Sequence, residues 1–178
     1  MKTIIETERL LLREITLDDK EALFKLHSDP AVQKYTGEPV VESIEEIEKA
    51  IRTRIDDYGK YGFGRWATFL KNGMQFVGWA GLAYLPEFDE IDLGYRFLPE
   101  YWGLGIATEA SRAILTYGFD SLKIRKIIAI ALKENKASIR VMEKVGMEFD
   151  KFAPYELGSE DAIWYWCDKK LITKNKVH

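Results

Sequence analysis

The sequence predicts an α/β domain built on a mixed, mostly antiparallel seven-stranded sheet flanked by helices. Three observations carry that reading. Aromatic and β-branched runs recur along the chain between turn residues, segments of three-to-four apolar spacing separate them, and one stretch, residues 90–132, reads as a strand, a helix and a second strand in succession.

Each element has a local cause. "RLLLREI" (9–15) is the first strand. "TLDDKEALFKLHSD" is a helix, with Thr16 as cap and Asp19 at the reciprocal capping position. Ser43 and Glu46 repeat that pattern, and Ile44, Ile47, Ile51 and Ile55 mark the amphipathic helix that follows. Asn72-Gly73, between two aromatic-rich runs within 63–85, predicts a hairpin. "EIDLGYRFL" (90–98) is a strand that stops at Pro99. From Gly105 the pattern turns helical, with Ile106, Ala107, Ala110, Ile114 and Tyr117 on one face. "KIIAIAL" (126–132) suits a strand buried on both faces. "NKASIRVMEKVG" is a short helix capped by Asn135 and stopped by Gly146. "MEFDKFAPYEL" and "AIWYWCDKKL" are two closing strands, and the tail "ITKNKVH" is expected to fray.

No repeat or low-complexity linker divides the 178 residues, so a single domain, 1–178, is expected. The net charge of −3 argues against a nucleic-acid partner. One cysteine, Cys167, cannot form an internal disulfide, and no leader-like segment or membrane-length apolar run is present, so the expected setting is the cytoplasm, away from membranes. Two distant histidines and one cysteine give no metal-ligand cluster. His27, at the end of the first helix, is read as structural or solvated through the helix dipole. Cys167 is read as core.

The chemistry-bearing piece is "EYWGLGIATEA" (100–110). A helix start leaves unpaired N–H groups and partial positive charge, and glycines at 103 and 105 let a ligand approach the backbone. The residues alone leave three readings of this loop. A Walker loop lacks its lysine here. A dinucleotide fold, as in a nucleotide-binding oxidoreductase, would want a third glycine where Thr108 stands. The third reading is coenzyme A.

"GYRFLPEYWGLGIATEA" followed by "NKASIRVMEKVGMEF", with the opening "TERLLLREITLDD", resembles the GCN5-related N-acetyltransferases, and within them the RimJ/RimL-like branch. The resemblance covers about residues 7–168. It implies the acyl-CoA N-acyltransferase fold with splayed central strands, acetyl-CoA as co-substrate without a metal, and an amine acceptor, a small molecule or a protein N-terminus. A monomer and a homodimer are both compatible with it. It implies that Gly103, Leu104, Gly105, Ile106, Ala107 and Thr108 hold the pyrophosphate. The main chain of Arg96, Phe97 and Leu98 would pair with the pantetheine arm, and Asn135 and Ser138 would face the cofactor. Trp102 stands where the superfamily has Gln or Arg. Met142 stands where many relatives place an acidic tyrosine, which makes Ser138 the replacement acid and keeps a non-catalytic acyl-CoA sensor as an alternative.

The base follows from the acceptor. Deprotonating a lysine side chain at neutral pH costs roughly 4 to 5 kcal/mol, an α-amine only roughly 1 to 1.4. An α-amine can therefore be served by a carboxylate acting through water. Glu90, Asp92 and Gly94 share a strand face by two-residue alternation, and Asp92 is the expected base, with Glu90 second. The acidic "PEFDEID" (86–92) reads as a solvated loop or as a negative rim for a cationic amine.

Overall fold

The computed structural model describes residues 3–155 and 161–174. Its strands are β1 (Thr3–Glu6), β2 (Leu10–Glu14), β3 (Arg65–Leu70), β4 (Gln75–Leu85), β5 (Glu90–Phe97), β6 (Ile127–Ala131), β7 (Glu148–Pro154) and β8 (Asp161–Cys167). Its helices are α1 (Lys20–His27), α2 (Pro30–Gln33), α3 (Ile44–Tyr61), α4 (Ile106–Asp120), α5 (Lys136–Lys144) and α6 (Lys169–Lys174). One sheet contains all the strands, in the order β1-β2-β3-β4-β5-β6-β8-β7. Every neighbouring pair is antiparallel except β5 and β6, which are parallel.

The mixed, mostly antiparallel architecture is as expected, with eight strands in place of seven. The additional strand is β1, which pairs with β2 through Ile5 opposite Leu12 and Glu6 opposite Leu11. Four residues are too few for a periodicity to register, and the strand exists because it satisfies the free edge of β2. Two further corrections are local. The last expected strand stops at Cys167, because Asp168 Oδ1 accepts from Leu171 N–H at 2.7 Å and starts α6, which takes in residues 172–174 of the expected tail. The rest of that tail lies outside the described residues. On α3, Ile47 and Ile51 are buried but Ile55 is 42% exposed. A 3.6-residue turn carries the inward stripe through Ile47, Ile51, Arg54 and Tyr58 instead.

The caps behave as their chemistry requires. Ser43 Oγ accepts from Glu46 N–H at 3.3 Å, Asn135 Oδ1 accepts from Ser138 N–H at 3.2 Å, and Thr16 N–H donates to Asp19 Oδ2 at 2.8 Å. Arg13 grips the same Asp19 with both terminal nitrogens, at 2.7 and 2.6 Å, tying β2 to the start of α1.

Alternation along β5 assigns its two faces. Leu93 and Phe97 join Trp66, Leu82, Ile114, Ile127 and Met142 in the core beneath α4 and α5. The opposite face carries Asp92, Gly94 and Arg96 toward α1–α3, whose own core is Leu23, Leu26, Ile47, Ile51, Ala67 and Trp79. Each large buried side chain contributes about 1.5 to 3 kcal/mol of transfer free energy. The polar face of β5 is thus held between two apolar layers.

Candidate active site

β5 and β6 are bridged at one position, Asp92 opposite Ile128. Past it the two strands diverge, and a cavity of about 1220 Å³ is lined by Tyr95, Arg96 and Phe97 on one side and Ala129 to Leu132 on the other. The splayed parallel pair is a consequence of topology. β5 is held along its length by β4 and β6 by β8, so neither strand needs the other to satisfy its edge.

At one end of the cavity lies the loop before α4. Gly103 and Gly105 have φ of +75° and +77°, the left-handed region that glycine enters without a Cβ penalty. Gly105 is the N-cap of α4 and offers no side-chain cap. Among the described residues, the N–H groups of residues 103–108 find no hydrogen-bond acceptor. Nothing lies within 4 Å of where a Gly103 Cβ would sit. Unpaired donors, an open approach and a helix N-terminus together make an anion cradle. Arg140 and Lys144 of α5 add positive charge to the lining. Ser111, fully buried in α4 and also lining the cavity, has a hydroxyl with no partner among the described residues. These residues fit the diphosphate and the amide-rich arm of coenzyme A, which would occupy the orphaned donors.

The loop is braced from the start of the chain. Arg9 donates through NH1 to Leu104 O at 2.9 Å and through Nε to Glu109 Oε2 at 2.6 Å, while Thr7 Oγ1–H donates to Glu109 Oε1 at 2.6 Å. Neither Arg9 nor Glu109 was singled out from the sequence. Arg9 lies in the family-like opening "TERLLLR" and Glu109 near the end of "EYWGLGIATEA", where neither spacing nor residue type marks the pair. Trp102, half-exposed, donates its indole N–H to Phe97 O at 2.7 Å and so folds the loop against β5. Phe97 O keeps a second lone pair, whereas Leu98 N–H is committed to Val77 O at 2.9 Å.

Of the remaining expected site residues, Asp92, Arg96, Gly103, Gly105, Ile106, Ala107, Thr108, Asn135 and Ser138 line the cavity. Leu98 is buried in the α1–α3 core and Leu104 is exposed at the loop surface. Glu90 lies outside the lining and is ion-paired with Lys126. Asp92 is buried and gives Oδ2 to Arg65, which also donates to Gly81 O at 2.6 Å. A Cβ on Gly94 would come within 2.8 Å of the Arg65 guanidinium, so the glycine at 94 is what admits Arg65 to Asp92. Ser138 Oγ accepts from Tyr95 Oη–H at 3.2 Å, which leaves the serine proton free to point elsewhere. Met142 is buried below α5.

The far end of the cavity lies under α1–α3. Arg96 NH1 donates to Glu38 Oε2 at 2.7 Å and Gln33 Oε1 at 3.0 Å. Trp79 sits between the guanidinia of Arg65 and Arg96, each 5.4 Å from its ring, and donates its N–H to His27 Nε2 at 3.1 Å. Burial first, and Arg96 second, push the His27 pKa down to about 4. His27 is therefore a neutral acceptor for Trp79 and not the dipole-favoured cation its helix position suggests. Folding weakens its proton affinity, so its stabilising contribution is whole above pH 6.5, the ordinary histidine value, and is lost as pH falls toward 4. Thermal melts are expected to drop across that window by the equivalent of about 3 kcal/mol, and His27→Gln should flatten the drop. An unchanged profile in the variant would assign the acid sensitivity elsewhere. Cys167 is fully buried, its thiol pushed up to about 12 by burial, and is core as expected.

Among the described residues no His, Cys, Asp and Glu cluster could hold a metal ion, and no helix is long and apolar enough to cross a membrane.

The family model described as an acetyltransferase (GNAT) domain matches residues 9–148. An uncharacterized N-acetyltransferase, YoaA of Bacillus subtilis, is 34% identical over 149 residues, spanning 83% of this chain and 84% of that protein. The structure of a GNAT-family acetyltransferase from Bacillus anthracis superposes with a TM-score of 0.80 at 29% identity, over 93% of this chain and 98% of the other. RimL, a ribosomal L7/L12 α-N-protein acetyltransferase solved with coenzyme A, shares the fold at a TM-score of 0.80 and 23% identity, over 94% and 98% of the two chains. The splayed strands, the amide cradle and these likenesses agree: the chain belongs to the GNAT acetyltransferase family and is an N-acetyltransferase with acetyl-CoA as its co-substrate.

Proposed function

We propose that the acceptor is a primary amine, of the α-amine type found at a protein N-terminus, and that it attacks the thioester directly in a ternary complex. The observation that carries this reading is continuity. One cavity joins the amide cradle at residues 103–108 to the buried carboxylate of Asp92 with no wall between them.

In that arrangement Asp92 is the base. Its Oδ2 is held by Arg65, so a water on the remaining oxygen relays the amine proton. Glu90 is less well placed, because Lys126 holds it and it lies outside the lining. The amine nitrogen bonds to the thioester carbon, the C–S bond breaks, and the departing sulfur takes one proton. Ser138 is the donor on the cofactor side. Tyr95 already fills one of its acceptor positions, which directs the serine's own proton away from the phenol. Backbone N–H groups on β5 stabilise the developing negative charge on the carbonyl oxygen.

RimL acts on an α-amine, and spermidine N(1)-acetyltransferase of Escherichia coli, 27% identical to this chain, acts on a polyamine. A panel of peptides with free N-termini, the same peptides N-blocked but carrying lysine, and polyamines separates the classes. The free N-termini are expected to react fastest. Faster transfer to blocked lysine peptides would reassign the acceptor.

A further inference from the structure

We propose that the acceptor carries a carboxylate near its amine and that Arg54 receives it; this rests on the amine-acetylation reading above. Arg54 stands on the inward stripe of α3, after Ile47 and Ile51 and before Tyr58, where that spacing otherwise buries apolar side chains. It lines the cavity, as does Ala50 one turn earlier. Among the described residues it makes no hydrogen bond. Its one ion contact among those residues, to Asp57 Oδ2, is 3.7 Å long, beyond hydrogen-bonding reach, and its side chain stays 38% accessible. Partly exposed pairs of that length bind weakly.

The other two guanidinia at this end of the cavity are already satisfied. Arg65 is bound to Asp92 and Gly81 O, and Arg96 to Glu38 and Gln33. His27 is neutral. Burial and then the nearby Arg65 charge draw the Arg54 pKa below its ordinary value, as expected of a cation lacking a close acceptor. The acceptor end of the cavity therefore holds one guanidinium whose planar donor fork is unfilled. A carboxylate fills such a fork with two parallel hydrogen bonds. A polyamine would instead bring a second ammonium against Arg54 and Arg65.

Matched amines test this. Alanine is compared with alaninamide, and alanyl-glutamate amide with alanyl-glutamine amide, by kcat/KM and by calorimetric binding to the coenzyme A-saturated protein. Amidation of alanine also makes its amine less basic, so intrinsic reactivity favours the amide. The protein is expected to prefer at least one acid over its amide about ten- to a hundredfold, the first pair reporting a free amino acid and the second an acidic peptide. Arg54→Gln should bring that ratio to about one, and Arg54→Lys should keep part of it. Equal binding of acid and amide in both pairs, tighter binding of spermidine than of every acid, or a ratio that survives Arg54→Gln would each overturn the proposal. Because binding is read separately, absent turnover with intact acid preference would count against amine acetylation and in favour of the Arg54 site.

Discussion

A Gly105→Trp protein is expected to fold and to lose coenzyme A affinity by at least about a hundredfold. Two effects combine. At φ of +77° any L-residue carries strain of about 1 to 2 kcal/mol, which a domain of this size survives. The indole would also project from the N-cap of α4 toward Arg9, whose NH2 lies 3.5 Å from the Cβ position, and across the donors of residues 106–108. Two lost charge-assisted hydrogen bonds of about 1.5 to 3 kcal/mol each already exceed a hundredfold. Gly62→Ala supplies the control. Gly62 has a φ of +76°, meets nothing within 4 Å and lies outside the cavity lining. It should lose stability of the same order and bind coenzyme A unchanged. Calorimetry on the two variants separates strain from occlusion, and unchanged affinity in Gly105→Trp would remove the phosphate cradle.

Asp92→Asn is expected to lower turnover at least about a hundredfold, the usual worth of a positioned base. The deficit should grow below neutral pH. There the acceptor is mostly ammonium, which an enzyme with a base can bind and deprotonate, whereas the variant must wait for free amine. The same substitution leaves a buried guanidinium facing a neutral amide, so a stability loss of up to about 3 kcal/mol accompanies it. Stability and chemistry are told apart by the pH profile of the folded protein. A variant-to-wild-type ratio that stays flat with pH would make Asp92 a structural partner of Arg65 and not a base.

The half of the candidate site proposed for the cofactor is legible because it is local. β5, the glycine loop, α4, β6 and the Asn135 cap follow one another within about fifty residues, and each is marked by a residue whose backbone or capping chemistry is distinctive. The half proposed for the acceptor is not. Arg65 and Trp79 come from the hairpin, His27 from α1, Glu38 from the segment before α3 and Arg54 from α3 itself, and only sheet pairing and helix packing bring them together. Arg54 was further hidden by Ile55, one position on, which invited a stripe through the wrong residue. β1 escaped because four residues carry no period, and Arg9 because a surface arginine gains meaning only once its partner loop is in place. Gly94 is the reverse case. Its place on the Asp92 face was readable, but the reason for a glycine there is the guanidinium of Arg65.

In the proposed mechanism the cleft between β5 and β6 delivers an acetyl group to an amine at Asp92. Thiol release from acetyl-CoA, measured with and without the amine panel and paired with mass detection of the acetylated product, tests it most directly. Amine-dependent release well above background hydrolysis, with the acetyl group on nitrogen and loss of the signal in both Gly105→Trp and Asp92→Asn, is the predicted result. Tight coenzyme A binding with release that no amine raises above hydrolysis would contradict it.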